Sequence, residues 1–130
     1  MKVLIVDDST IVRERLKAML SEITEPENIS QAEDYAEAIS SFQKVNPEVL
    51  ILDIRMPGGS GIDVLQEIKK ATNPPLVIVL TNYPYPQYRR KCIEAGADFF
   101  FDKSTEFDKA FEVLKKANNP ARGQRVIREY

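Results

Sequence analysis

The residues of this chain best placed to do chemistry are mostly acidic, and they sit where short apolar runs end. Asp7 and Asp8 follow Val3 to Val6, Asp53 falls in the run Val49 to Ile54, Thr81 follows Leu76 to Leu80, and Lys103 comes just after Asp98 to Phe101. Carboxylates gathered in a dry place repel one another, and the repulsion is relieved by a raised pKa or by a cation. The chain has no histidine and only one cysteine, Cys92, which excludes multi-cysteine zinc sites and imidazole chemistry. A hard divalent ion, Mg2+, suits such oxygen donors and completes its shell with water and phosphate oxygens. On this reading Asp8 and Asp53 are direct ligands and Asp7 orients a metal-bound water. A carboxylate can also act as a nucleophile and carry a phosphoryl group as an acyl phosphate. Asp53 is the candidate, with Lys103 neutralising charge and Thr81 donating its hydroxyl proton to the phosphoryl oxygens.

Taken singly, each of these residues has an ordinary explanation. An aspartate after a strand caps a helix or forms a turn, a threonine caps, and a lysine at a strand end is solvated. Their joint placement carries the functional signal, and that depends on the elements around them. The apolar runs read as buried strands at Val3 to Val6, Asn28 to Glu33, Val49 to Ile54, Leu76 to Leu80 and Asp98 to Phe101. Between them the apolar spacing is helical: Ile11, Leu16, Met19 and Leu20 after Ser9 or Thr10, then Tyr35, Ala38, Ile39 and Phe42. Ile62, Leu65 and Ile68 continue from Gly61; Tyr88, Cys92 and Ile93 precede Gly96, a helix C-cap candidate; and Phe107, Ala110, Phe111 and Leu114 follow Ser104 or Thr105 as cap.

Alternation of this kind predicts an α/β fold, a three-layer sandwich with a parallel sheet covered on both faces through right-handed crossovers. The flavodoxin-like order 2-1-3-4-5 is the natural solution for five strands, and the functional crevice of such a sheet lies beyond the carboxyl ends of the strands. In that order the ends bearing Asp7-Asp8, Asp53, Thr81 and Lys103 are neighbours.

A length of 130 residues suits one domain with one core. The expected domain is 1-118; Asn118-Asn119-Pro120 reads as a linker, leaving 119-130 as a short basic tail or linker remnant, frayed or briefly helical. No apolar run approaches a membrane span, and Val3 to Val6 meets Asp7 too soon for a signal sequence, so a cytoplasmic protein is expected. A net charge of -2 argues against a nucleic-acid-gripping domain.

Several other features read as structural. Gly58, Gly59 and Gly61 lack phosphate-loop spacing and serve a turn after Pro57. Tyr83-Pro84-Tyr85-Pro86 is a stiff loop entering a helix, with aromatics that a partner can meet. Phe99, Phe100 and Phe101 are core, with Phe100 on the opposite sheet face from its neighbours. Cys92 is inert packing, and Arg122, Arg125 and Arg128 are a solvated tail.

The ordered set Leu4-Ile5-Val6-Asp7-Asp8-Ser9, Leu52-Asp53-Ile54-Arg55-Met56-Pro57 with Gly61, Leu80-Thr81 and Phe100-Phe101-Asp102-Lys103 resembles the CheY-like receiver domains of two-component response regulators. The resemblance implies that Asp53 accepts phosphate from the phosphohistidine of a sensor histidine kinase or phosphotransfer protein, in a Mg2+-dependent reaction that the receiver itself catalyses. It implies a metal site of Asp7, Asp8, Asp53 and the backbone carbonyl of Arg55. It also implies a switch in which Thr81 moves toward the phosphoryl group and Phe100 rotates inward. The surface of the fourth helix, fifth strand and fifth helix then changes its protein partners, and the chain is a monomer or a phosphorylation-dependent dimer with no direct nucleic-acid or membrane contact. Such a protein is no enzyme beyond its own phosphotransfer and slow dephosphorylation.

Three positions depart from the family pattern. Phe100 replaces a frequent Tyr and so has no phenolic hydroxyl, Asn82 stands where a small residue is common, and Ser104 replaces the usual Pro. Arg55 and Tyr83, flanking the pocket, are expected by analogy to tune phosphate loss. The alternatives are a receiver detached from a DNA-binding or enzymatic output domain, and an aspartate-nucleophile phosphatase. The latter lacks its Asp-x-Asp pair, since Asp53 precedes Ile54-Arg55.

Overall fold

The computed structural model describes residues 1–56 and 58–118. Its main sheet contains β1 (Val3–Val6), β2 (Ile29–Ala32), β3 (Val49–Leu52), β6 (Leu76–Thr81) and β7 (Phe99–Asp102). The spatial order is β2-β1-β3-β6-β7 and every pairing is parallel, which is the expected 2-1-3-4-5 arrangement. Between β3 and the next strand of the sheet the chain makes an antiparallel ribbon of β4 (Arg55–Met56) and β5 (Gly59–Ser60). Two residue pairs leave no periodicity to read, so this ribbon was not expected from the sequence.

The helices are α1 (Thr10–Leu20), α2 (Tyr35–Val45), α3 (Gly61–Ile68), α4 (Pro86–Glu94) and α5 (Phe107–Ala117). Strand alternation divides the core into two layers. Leu4, Val6, Leu50, Leu52, Val77, Val79 and Phe100 pack with Ala38 of α2, Val64, Leu65 and Ile68 of α3, and Cys92 of α4. Val3, Ile5, Val49, Ile51, Ile78, Leu80, Phe99 and Phe101 pack with Leu16 and Leu20 of α1 and with Phe107, Ala110, Val113 and Leu114 of α5. Phe100 therefore faces away from Phe99 and Phe101, whose rings stack at 5.8 Å. Each fully buried leucine or isoleucine contributes about 2 kcal/mol, and the runs are long enough to fix which residue of each strand reaches the edge.

The local signals hold with two corrections. Ser9 caps α1 by accepting from the Val12 amide, Asp34 caps α2, and Gly96 follows α4 at φ 109°, a backbone angle that suits glycine. Ser104 and Thr105, however, do not cap α5. Its N-cap is Glu106, which makes no side-chain cap bond. The Asp102 carboxylate takes the Ser104 amide at 2.8 Å, forming a turn that delays the helix. The third strand stops at Leu52 and the last one is shifted to Phe99–Asp102, so Asp53 and Ile54 lie off the sheet and Lys103 directly follows its strand. The tail at 119-130 lies outside the described residues. No described helix is long and apolar enough to cross a membrane.

Candidate functional site

Three backbone bonds at the carboxyl edge of the sheet set the positions of the polar residues. The Asp7 amide donates to the Ala32 carbonyl at 3.1 Å, the Asp53 amide to Val6 at 2.9 Å, and the Lys103 amide to Thr81 at 2.8 Å. Because strand ends are held in this way, the side chains that follow them share one crevice. Lys103 Nζ donates to Asp7 Oδ2 at 2.8 Å and to Asp53 Oδ2 at 3.1 Å. The other oxygen of Asp7 accepts from the Ser9 amide at 2.8 Å, and that of Asp53 accepts from the Ile54 amide at 2.7 Å. Asp7, Asp53 and Lys103 are buried, whereas Asp8 is exposed.

One carboxylate oxygen from each of Asp7, Asp8 and Asp53 lies within 4.8 Å of the other two. Three acidic groups thus face one ammonium, leaving an excess of negative charge in a set of hard oxygen donors, and this fits a divalent cation. Burial raises the Asp53 pKa above its ordinary value; Lys103 opposes the shift and the Asp7 charge adds to it. Burial works against the Lys103 ammonium, but the Asp7 hydrogen bond and the charges of Asp53 and Asp7 outweigh it and raise its pKa. The crevice therefore penalises a bare charge on Asp53 while keeping Lys103 cationic.

Thr81 is fully buried at the end of β6, beside Asp102 in register, and its hydroxyl accepts from the Tyr83 amide at 3.0 Å. A hydroxyl that accepts keeps its own proton for another bond. Phe100 is buried against the α2 to α4 side, with the Arg89 guanidinium 5.7 Å from its ring and Arg89 Nη1 donating to its carbonyl at 3.3 Å. Arg55 and Tyr83, which follow Asp53 and Thr81 by two residues each, touch one another. The Arg55 guanidinium lies 4.2 Å over the Tyr83 ring and donates to the Tyr88 hydroxyl at 3.5 Å. Asn82 accepts from the Ser104 hydroxyl at 3.3 Å, joining the loops after β6 and β7.

Sequence reasoning missed three arrangements. Ser60 and Asp63 form a capping box that starts α3, a pattern readable from their spacing. Asp98 is buried at the opposite end of β7, where it accepts from the Val77 amide at 2.9 Å and from Lys69 at 3.3 Å; only the fold brings those partners together. Arg13 reaches the Asp7 carbonyl at 2.6 Å. The signal for it was available, because helix side chains lean toward the helix start and α1 begins beside Asp8.

The chain resembles several known proteins. It is 30% identical to the sensory transduction protein LytT of Bacillus anthracis over 95% of this chain and 50% of that protein. It is 36% identical to a cyclic di-GMP phosphodiesterase of Thermotoga maritima over 100% of this chain and 33% of that protein. It thus spans about half the length, or less, of these curated relatives. The N-terminal domain of an uncharacterized protein from Wolinella succinogenes superposes with a TM-score of 0.83 at 32% identity, covering 96% of this chain and 99% of the other. The Vibrio cholerae chemotaxis protein CheY4 shares the fold with a TM-score of 0.78 at 24% identity, covering 89% and 97%. Residues 3–115 match the family model of the response regulator receiver domain, and with the parallel sheet and its acidic crevice in view, the chain belongs to that family.

Proposed function

We propose that this receiver is a phosphorylation switch in which Asp53 accepts a phosphoryl group from the phosphohistidine of a sensor histidine kinase or phosphotransfer protein. One observation carries the reading: Lys103 Nζ bridges Asp7 and Asp53 at 2.8 and 3.1 Å, inside a crevice that also gathers Asp8. An Asp53 oxygen attacks phosphorus in line; the bond from phosphorus to the donor nitrogen breaks, and its electron pair stays on the imidazole. Little covalent help is needed, so positioning and charge neutralisation dominate. Lys103 balances the charge of the new acyl phosphate, and the Thr81 hydroxyl donates to its oxygens. Asp7, Asp8, Asp53 and the Arg55 carbonyl are the residues that would hold Mg2+, which when bound supplies the remaining positive charge on the phosphoryl oxygens.

Phosphorylation changes local charge and biases a bistable element. Thr81 and Phe100 are the switch pair, and α4, β7 and α5 are the face whose protein contacts change. The protein turns over no external substrate. Acetyl phosphate with Mg2+ is expected to add one phosphoryl group to the wild type and none to Asp53→Asn; equal labelling of both rejects the assignment. Partner capture on immobilised protein, with and without beryllium fluoride, tests the output face, and the same comparison by size separates monomer from phosphorylation-dependent dimer.

The length of the relatives favours a second reading, in which this receiver works within a longer protein with an output domain. An extended open reading frame at the gene tests that. Turnover of a free phosphomonoester is the result that would support an aspartate-nucleophile phosphatase instead.

A further inference from the structure

We propose that Arg13 is a positioning residue that fixes Asp8 for cation binding, an inference that rests on the reading of Asp7, Asp8 and Asp53 as a Mg2+ site. Arg13 sits in the first turn of α1. Its Nη1 donates to the Asp7 carbonyl at 2.6 Å, its Nη2 to Thr10 Oγ1 at 3.2 Å, and its Nε to Gln31 Oε1 at 3.2 Å. Glu33 adds an ion pair at 3.6 Å, and the Arg13 side chain is only 12% exposed. The Asp7 carbonyl belongs to the peptide group that joins Asp7 to Asp8. One guanidinium therefore ties that peptide both to the start of α1 and to the end of β2.

The tie matters because the two aspartates are held differently. Asp7 is buried, and its carboxylate is gripped by the Ser9 amide and Lys103. Asp8 is exposed, so packing does not hold its side chain and the peptide it hangs from must. A planar guanidinium with several fixed donors suits such a multi-point anchor better than an ammonium does. Groups that orient ligands from outside the first shell are worth about tenfold or more in metal affinity when removed.

Electrostatics alone predicts the opposite sign. A guanidinium beside an acidic crevice repels an incoming cation, so deleting it should tighten binding if only the field mattered. Weaker binding after deletion is thus a signature of positioning. Arg15 supplies the control, since it lies on the same helix with its guanidinium 3.8 Å over the Phe107 ring, directed at α5 rather than at the crevice.

The test is titration calorimetry of the whole chain with MgCl2 alone, paired with thermal unfolding without metal. Arg13→Gln is expected to weaken Mg2+ binding by about tenfold, measured at a temperature where metal-free unfolding shows the variant still fully folded. Arg13→Lys should restore part of the affinity, Gln31→Ala should show a smaller loss in the same direction, and Arg15→Gln should bind as the wild type does. Wild-type or tighter binding by Arg13→Gln overturns the inference, whatever Gln31→Ala shows. Asp8→Asn separates the two levels: if it too binds Mg2+ as the wild type does, the metal-site reading itself has failed.

Discussion

Gly61→Ala perturbs the crevice without touching a charged group. Gly61 opens α3, and its amide donates to the Ile54 carbonyl. A β-carbon at this position runs into the Asp53 carbonyl oxygen and comes within 2.8 Å of the Asp53 carbonyl carbon and 2.9 Å of Ile54 Cα. All of these are backbone atoms, so no side-chain rotation relieves the contact. The segment cannot simply slide away either, because the Asp53 amide is bonded to Val6 of β1 at 2.9 Å. Overpacking costs about 1 to 3 kcal/mol where side chains can yield, and a contact against fixed backbone belongs at the upper end, about 3 kcal/mol. Alanine is otherwise a better helix former than glycine by up to about 1 kcal/mol, which offsets part of the contact and leaves a net loss of about 2 kcal/mol. For a domain of this size each kcal/mol moves Tm by about 3 to 5 °C, giving an expected fall of about 6 to 10 °C by circular dichroism. Acetyl phosphate labelling of the folded variant, read in the cold, should fall as well, because the displaced peptide is the one that carries Asp53. Gly58→Ala is the internal comparison. Gly58 has φ +81° but meets only Tyr35 Cβ at 4.0 Å, so its cost is the left-handed backbone alone, about 1 to 2 kcal/mol. If Gly61→Ala melts no lower than Gly58→Ala and labels normally, the steric argument is wrong.

Four further outcomes follow from the electrostatics and burial. The folded state holds the Asp53 proton more tightly than the unfolded chain does, so metal-free stability should decline as pH rises from about 3.8 through the elevated folded value. In pH-dependent denaturant titrations Asp53→Asn should flatten that decline and be the more stable protein at neutral pH, and an unchanged slope refutes the assignment. Lys103→Met leaves Asp7 and Asp53 without their shared ammonium and should lose about 3 to 5 kcal/mol at neutral pH, with part of the loss regained in mild acid; a pH-independent loss would point to packing instead. Because the raised Lys103 pKa stabilises the fold below the ordinary lysine range, the wild type should lose this contribution as pH climbs through the folded value. The Cys92 thiol is buried, with its pKa pushed to about 11, so a thiol reagent should modify it only as fast as the protein unfolds. Prompt modification under native conditions would refute its burial.

How much was legible in the sequence varied with the range of the interaction. Val3–Val6, Val49–Leu52 and residues 76–80 of β6 are uninterrupted apolar runs, and runs of this kind announce buried parallel strands. Once the sheet order follows from alternation, the residues after the strands are neighbours by geometry, which is why Asp7, Asp53 and Lys103 could be grouped before any contact was known. Caps were less legible at α5, because Ser104 and Thr105 have the right chemistry but Asp102 captures the Ser104 amide first. The β4–β5 ribbon and the Lys69–Asp98 bridge depend on contacts that no local pattern encodes. Arg55 lying over Tyr83 joins a residue after β3 to one after β6, and flanking positions alone could not say that the two stack.

That stacking has an optical consequence. The chain has five tyrosines and no tryptophan. Tyr83 lies beneath Arg55, Tyr88 accepts its hydrogen bond, Tyr85 pairs with Tyr88 at 5.9 Å, and Tyr35 packs on Gly59 of the ribbon. Three of the five tyrosines, Tyr83, Tyr85 and Tyr88, therefore cluster with Arg55 between the segments that follow β3 and β6, and a guanidinium leaving one phenol alters that phenol's surroundings directly. Unlabelled protein should report a displacement of Arg55 through its own phenol emission, because the buried core carries phenylalanines and none of the described tyrosines.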